Sequence, residues 1–266
     1  MNQTPPEVIL ANFVFIGFWL VTVLAIMLAG RFVPAMGRFR QRMLSLWKPA
    51  LLITAVFIVS MGLGGSGWLN PYAIAIFCQT MIGLAIASSI PGFNSLPVGQ
   101  AIKDRRNIIL QIALLLGIAL LAAFPALIIG SIGLSIGRQI FGETYNAQQA
   151  ASTFFPGNKW LVFFSLLGGA GIAEETTYRL ICLSLIWKMT HRSWLAIILS
   201  ALIFGAYHLT PLDGMYRIFW QFPISQFTAS TLIGLVWGYL FVKRGYGTTV
   251  LGHTLSDWLP LMLFMR

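Results

Sequence analysis

Apolar residues run along this chain in long blocks, interrupted at short intervals by glycine, proline and basic residues. The blocks fall at about 8–30, 49–68, 72–90, 107–136, 160–187, 193–210, 222–241 and 247–265. About 20 mainly apolar residues are what a helix needs to cross the hydrocarbon layer of a membrane, where each backbone polar group must be satisfied within its own segment. The pattern predicts an all-α polytopic membrane protein of about eight transmembrane helices, with residues 1–266 forming a single integral membrane domain. Between the second and third blocks only Leu69-Asn70-Pro71 is left, a turn signal that predicts a tight antiparallel hairpin. The fourth block exceeds what a bilayer requires and contains Pro125, so tilt or a kink is expected there. Residues 138–158 form the longest connection and are expected to lie on the membrane surface.

Composition agrees with the pattern and removes other classes. With 58% hydrophobic and 9% charged residues, nothing remains for a soluble domain. A net charge of +10 would suggest nucleic acid in a soluble protein, but the position of the charges argues otherwise. Of seventeen Lys and Arg, twelve fall in the alternate connections 31–48, 89–106, 188–192 and 242–246, four lie on the opposite side, and only Arg179 is inside a block. That segregation fits the positive-inside rule, with both termini outside and membrane lipids as the partners of the basic clusters; no nucleic-acid partner is expected. Cys78 and Cys182 both sit in apolar blocks and suggest neither a disulfide nor a metal motif. The N-terminus carries Glu7 and no basic residue ahead of its apolar run, which argues against a cleaved signal peptide.

Against this background the segment Glu174-Glu175-Thr176-Thr177-Tyr178-Arg179 stands out. A charge near the centre of a spanning helix costs about 2.5–3.5 kcal/mol on insertion scales, so such groups face a bundle interior or wet cavity and have a task. The ionisable residues left inside the blocks are Glu174, Glu175, Arg179, Asp257, His208 and His253, all able to serve as general base, ligand, oxyanion donor or counter-charge. Spacing of four pairs Glu175 with Arg179, Glu174 with Tyr178, Phe204 with His208 and His253 with Asp257 on helix faces. Arg179 can neutralise and orient Glu175 and leave Glu174 to titrate, while Asp257 can accept from His253 and fix its tautomer. The run Gly168-Gly169-Ala170-Gly171 just before the acids allows close helix approach or leaves room for water and substrate backbone.

In order, Glu174-Glu175-x-x-x-Arg179, Phe204-x-x-x-His208 and His253-x-x-x-Asp257 resemble the CPBP group of intramembrane endopeptidases, which includes CAAX prenyl protease 2 and abortive-infection-like, bacteriocin-processing proteins. The resemblance covers a core of about 160–260. It implies an intramembrane catalytic cavity and hydrolysis of a peptide bond in a membrane-associated or lipidated protein or peptide. Within it, Glu174 activates water, His208 positions that water, His253 and Asp257 polarise the scissile carbonyl, and Glu175 and Arg179 support Glu174. Either zinc or no cofactor is compatible with the resemblance: His208, His253 and a carboxylate, Glu175 or Asp257, would make a three-ligand zinc site, yet no H-E-x-x-H spacing is present. Asp257 stands where asparagine is frequent in the family, and an ionised aspartate cannot donate to an oxyanion.

Two other function classes use similar residues. A proton-coupled transporter also relays protons through Glu, His and Asp, and a non-catalytic membrane scaffold or bacteriocin-immunity factor would retain the motifs without needing them. A bacterial inner membrane is the expected location. One geometric difficulty stands: with straight α-helices rising 1.5 Å per residue, Glu174 and His208 lie about 20 Å from the basic loops but His253 only about 13 Å. Tilt or a loop-like start at Gly245-Tyr246-Gly247 must close that difference.

Overall fold

The computed structural model of the chain describes residues 5–143 and 158–264. Among these residues the structure is helical, without strands. Its elements are α1 (Pro6–Phe32), α2 (Pro34–Ser45), α3 (Trp47–Leu63), α4 (Tyr72–Ala87), α5 (Pro97–Lys103), α6 (Ile108–Phe141), α7 (Lys159–Leu166), two consecutive π-helical segments (Leu167–Glu174 and Thr176–Leu183), α8 (Ser184–Thr190), α9 (Ser193–Tyr207), α10 (Tyr216–Phe219), α11 (Pro223–Arg244) and α12 (Tyr246–Phe264). Most of the surface stretch expected at 138–158 lies outside the described residues.

Each of the eight apolar blocks is helical. As single helices, α1, α6 and α11 are long and apolar enough to cross a bilayer, and α2 with α3, bent by 53° at their junction, make a fourth if taken together. α4 and α9 are shorter apolar helices. The outward faces of α1 and α6 expose Phe13, Val14, Leu24, Leu121, Phe124 and Ile128 to a degree that water would not tolerate but lipid does. Among the described residues this is an integral membrane protein by its helices.

α4 is the axis. Every residue from Cys78 to Ala87 is buried, enclosed by α1, α3 and the second π-helical segment. Gly83 permits the last contact: a Cβ there would come within 2.8 Å of Leu180. α3 and α4 pack against each other as the expected hairpin, and Asn70 Oδ1 accepts from the Tyr72 amide at 2.9 Å to start α4.

α6 and α11 form another closely joined pair. Gly133 and Gly137 let the backbones touch, since a Cβ at Gly133 would sit 2.5 Å from Ala229 and one at Gly137 would strike Ser225. At the end of this seam Glu143 accepts from the Ile224 and Ser225 amides at 3.0 and 2.7 Å. It thereby satisfies two of the unpaired N–H groups that open α11. α6 continues as one helix through Pro125.

Residues 31–48, expected as a basic loop, are largely helical instead: 34–45 form α2 between the ends of α1 and α3. Pro34 pre-sets the first turn, and Met36, Phe39 and Met43 recur at helical spacing on the inner face while Arg38 and Arg42 point outward. Contacts at the two ends of the bundle respect the expected alternation of connections. Glu7 pairs with Arg217, and Trp258 donates to the Lys159 carbonyl, at one end. Lys188 donates to Ser89 at the other.

Candidate active site

The acidic pair lies on the widest part of the backbone. Residues 167–183 wind with one extra residue per turn on either side of Glu175, a geometry that is rare and concentrated at functional sites. Gly168 and Gly171 are its packing positions: a Cβ at Gly168 would come within 2.5 Å of Met61 Sδ, and one at Gly171 would collide with Thr254 Oγ1. Gly169 has nothing within 4 Å of a Cβ and faces a cavity. Both readings of the glycine run therefore hold, at different residues.

Wide turns also help to resolve the depth difficulty, because each takes in more chain than an α turn does. The other part of the answer is at Gly245, whose φ of 78° breaks the chain between α11 and α12. α12 starts at once with Tyr246, 3% exposed, whose hydroxyl meets Thr176 Oγ1 at 2.7 Å and the Ile172 carbonyl at 3.3 Å. The helix carrying His253 thus begins inside the bundle, beside the glutamates.

Glu175 and Arg179 are both fully buried and lie 3.4 Å apart, as the spacing of four suggested. The guanidinium packs over Phe204, 4.5 Å from the ring centroid. The other Glu175 oxygen reaches Nδ1 of His253 at 2.8 Å, joining the π-helical stretch to α12. Glu175, rather than Asp257, therefore makes the short bond that fixes the His253 tautomer: Nδ1 donates, and Nε2 turns toward the cavity. Trp237 stacks on the same ring at 5.7 Å and 24°. Around Nε2 stand Asp257 at 3.6 Å and Glu174 at 4.0 Å.

His208 caps α9, and its Nδ1 donates to the Phe204 carbonyl at 2.9 Å. Phe204 is a hub, with edge contacts to both His208 and His253 at 4.7 and 5.7 Å. One cavity of about 930 Å³ is lined by Glu174, His208, His253 and Asp257 together, and its wall also includes Gly64, Ser66, Asn158, Ala229, Ile233 and Leu261. Glu175 and Arg179 stand behind its wall.

Asp213 also lines this cavity, 7% exposed, with Oδ2 3.9 Å from Nε2 of His208. The sequence placed it in a connection between spans and so outside the site. Its other oxygen accepts from the Met215 amide at 2.7 Å, closing an Asx turn. Burial pushes the Asp213 carboxyl up to about 7, against the opposing effect of that hydrogen bond. Gln79 is a second residue the pattern concealed: fully buried on α4, it accepts from Thr177 at 3.5 Å. Asp213 had no distinguishing signal beyond being polar near a motif, and Gln79 none beyond being polar inside an apolar block.

A zinc site from His208, His253 and Glu175 or Asp257 does not match this arrangement. Glu175 engages the far ring nitrogen of His253, His208 has its own acid, and among the described residues no three His, Cys, Asp or Glu side chains are placed to hold a metal ion. No step below runs through a metal.

The six motif residues and Asp213 all fall within one stretch that compares with known proteins. Residues 156–259 match the family described as type II CAAX prenyl endopeptidase Rce1-like. The Rce1-like stretch begins just before α7 and ends in α12. No curated protein and no solved structure matches the chain. Helices α1–α6, including the central α4, lie outside the Rce1-like match.

Proposed function

We propose that the protein is an intramembrane endopeptidase that hydrolyses a peptide bond near the membrane-tethered or lipid-modified end of a protein or peptide, using water activated by Glu174. The observation that carries this reading is the convergence of Glu174, His208 and His253, from three separate helices, on one cavity. Glu174 takes a proton from water, and the resulting hydroxide attacks the scissile carbonyl. His253, held by Glu175 through Nδ1, presents Nε2 to the carbonyl oxygen, and Arg179 offsets the buried Glu175 charge. Asp257, at 3.6 Å from that nitrogen, helps keep a proton on it. In this role an aspartate serves where a neutral amide would donate directly.

The cavity lining mixes apolar residues, among them Val162, Ile233 and Leu261, with polar ones such as Ser66, Asn158 and Gln226, which suits a substrate that is part lipid and part peptide. The reading extends to a bacterial inner membrane with the basic connections in the cytoplasm, supported by the segregation of Lys and Arg.

The test is cleavage of an internally quenched, farnesylated CAAX peptide, and of unprenylated membrane-anchored peptides, by detergent-purified protein. Glu174→Gln is expected to lower the rate about a thousandfold, within the usual range for a lost general base. Cleavage by Glu174→Gln at the wild-type rate would overturn the reading, and so would electrogenic proton flux in vesicles without any cleavage.

A further inference from the structure

His208 has a hydrogen-bond acceptor at Nδ1 and a carboxyl beside Nε2. The Phe204 carbonyl faces Nδ1 at 2.9 Å and the Asp213 carboxyl faces Nε2 at 3.9 Å. A histidine meant to accept a hydrogen from water needs one nitrogen bare, whereas a carboxyl beside the second nitrogen favours a ring that carries a proton on both. The gap at Nε2 exceeds a direct hydrogen bond, which leaves a third group room to enter between ring and carboxyl.

The connection bearing Asp213 is held in place independently. Oδ1 closes the turn to Met215, Trp220 donates to the Leu209 carbonyl at 2.8 Å, and Glu7 of α1 accepts from Tyr216 at 2.6 Å and from Arg217. A turn alone would require only Oδ1. Oδ2 is left for His208.

We propose that Asp213 is a positioning residue of the hydrolytic site, acting through His208: its Oδ2 holds a proton at Nε2, and His208 delivers that proton to the departing amine. The inference rests on the hydrolytic reading above and gives His208 a different part in it. Glu174 takes one proton from water, hydroxide adds to the carbonyl carbon, and the carbon–nitrogen bond breaks as the amine nitrogen receives the proton from Nε2. The proton left on Glu174 then restores the ring, so a carboxylic acid and an amine form from peptide and water with nothing else consumed.

Asparagine makes the decisive variant, because its side-chain oxygen keeps the turn to Met215 while the carboxyl facing His208 is lost. With the farnesylated CAAX peptide as probe, Asp213→Asn is expected to lower kcat at least tenfold with KM and melting temperature unchanged. Asp213→Ala should lose the same activity and melt earlier as well. In the full chain labelled with ¹⁵N in its three histidine rings, with His208→Gln for assignment, the Nε2–H signal of His208 should be present in the wild type and absent in Asp213→Asn. Ring signals of His208 that are identical in the two proteins would overturn the inference. So would wild-type kcat in Asp213→Asn alongside an inactive Glu174→Gln. If Glu174→Gln itself cleaves normally, the hydrolytic reading fails, and the histidine spectra still decide whether Asp213 governs His208.

Discussion

At the scale of single residues, the two adjacent glutamates are neighbours in sequence and different in kind. Glu174 opens onto the cavity, while Glu175 is sealed between Arg179 and His253 with no exposed surface. Removing one member of a buried pair costs about 3–5 kcal/mol, because the remaining charge has no compensation. Glu175→Gln is therefore expected to lower the melting temperature sharply in a thermal shift assay, whereas Glu174→Gln should melt as the wild type does. A reversed order would mean that the roles of the two acids are exchanged. The sequence could show that two acids, an arginine and two histidines shared the apolar blocks, since ionisable groups in lipid are rare and spacing of four is easily seen. It could not show which acid meets which histidine. The 2.8 Å bond from His253 to Glu175 crosses 78 residues of chain and depends on how α12 enters the bundle.

Elements carry the next set of consequences. Gly171→Ala would drive a methyl group into Thr254 on α12 and push His253 from the glutamates, so cleavage should fall along with stability. Gly169→Ala, with open space at its Cβ, should melt at the wild-type temperature. Glu143→Ala removes the cap on α11 and should cost about 1 kcal/mol, measured by thermal or denaturant unfolding in detergent. Burial raises the Glu143 carboxyl, but hydrogen bonds from Ser225 and Ile224 outweigh it and hold the group below the ordinary glutamate value. The stability it contributes is therefore present at neutral pH and lost as acidification passes through that lowered value, and Glu143→Ala should flatten this part of the stability profile. π-helical winding was illegible in advance because no residue type encodes it. Extra residues per turn are tolerated here where glycines admit α12 on one side and α4 on the other. The helix α2, by contrast, was legible in its Met36, Phe39 and Met43 spacing, and only the density of arginine around it obscured the signal.

For the whole molecule, hydropathy made the class and the helical blocks readable, because the requirement to satisfy backbone groups in lipid leaves few alternatives. How the blocks close on a shared space was not readable, and Asp213 is the clearest instance: a residue in a connection that folds back into the cavity. The described lining sets three carboxyls, those of Glu174, Asp213 and Asp257, against the rings of His208 and His253, and includes no lysine or arginine. That sign of charge should act on substrates. A peptide with an acidic side chain at the cleavage site should turn over more slowly than the same peptide with glutamine or lysine there, in parallel kcat/KM measurements, because like charges in a low-dielectric space repel strongly.

The empty neighbourhood of Gly169 has a practical use. A thiol introduced by Gly169→Cys would project into the chamber without displacing any neighbour, at a point a maleimide could reach only by the route open to solvent or substrate. Alkylating it in inverted and right-side-out vesicles would tell from which side of the membrane the chamber is reached, and a bulky reagent would serve as a stopper for it.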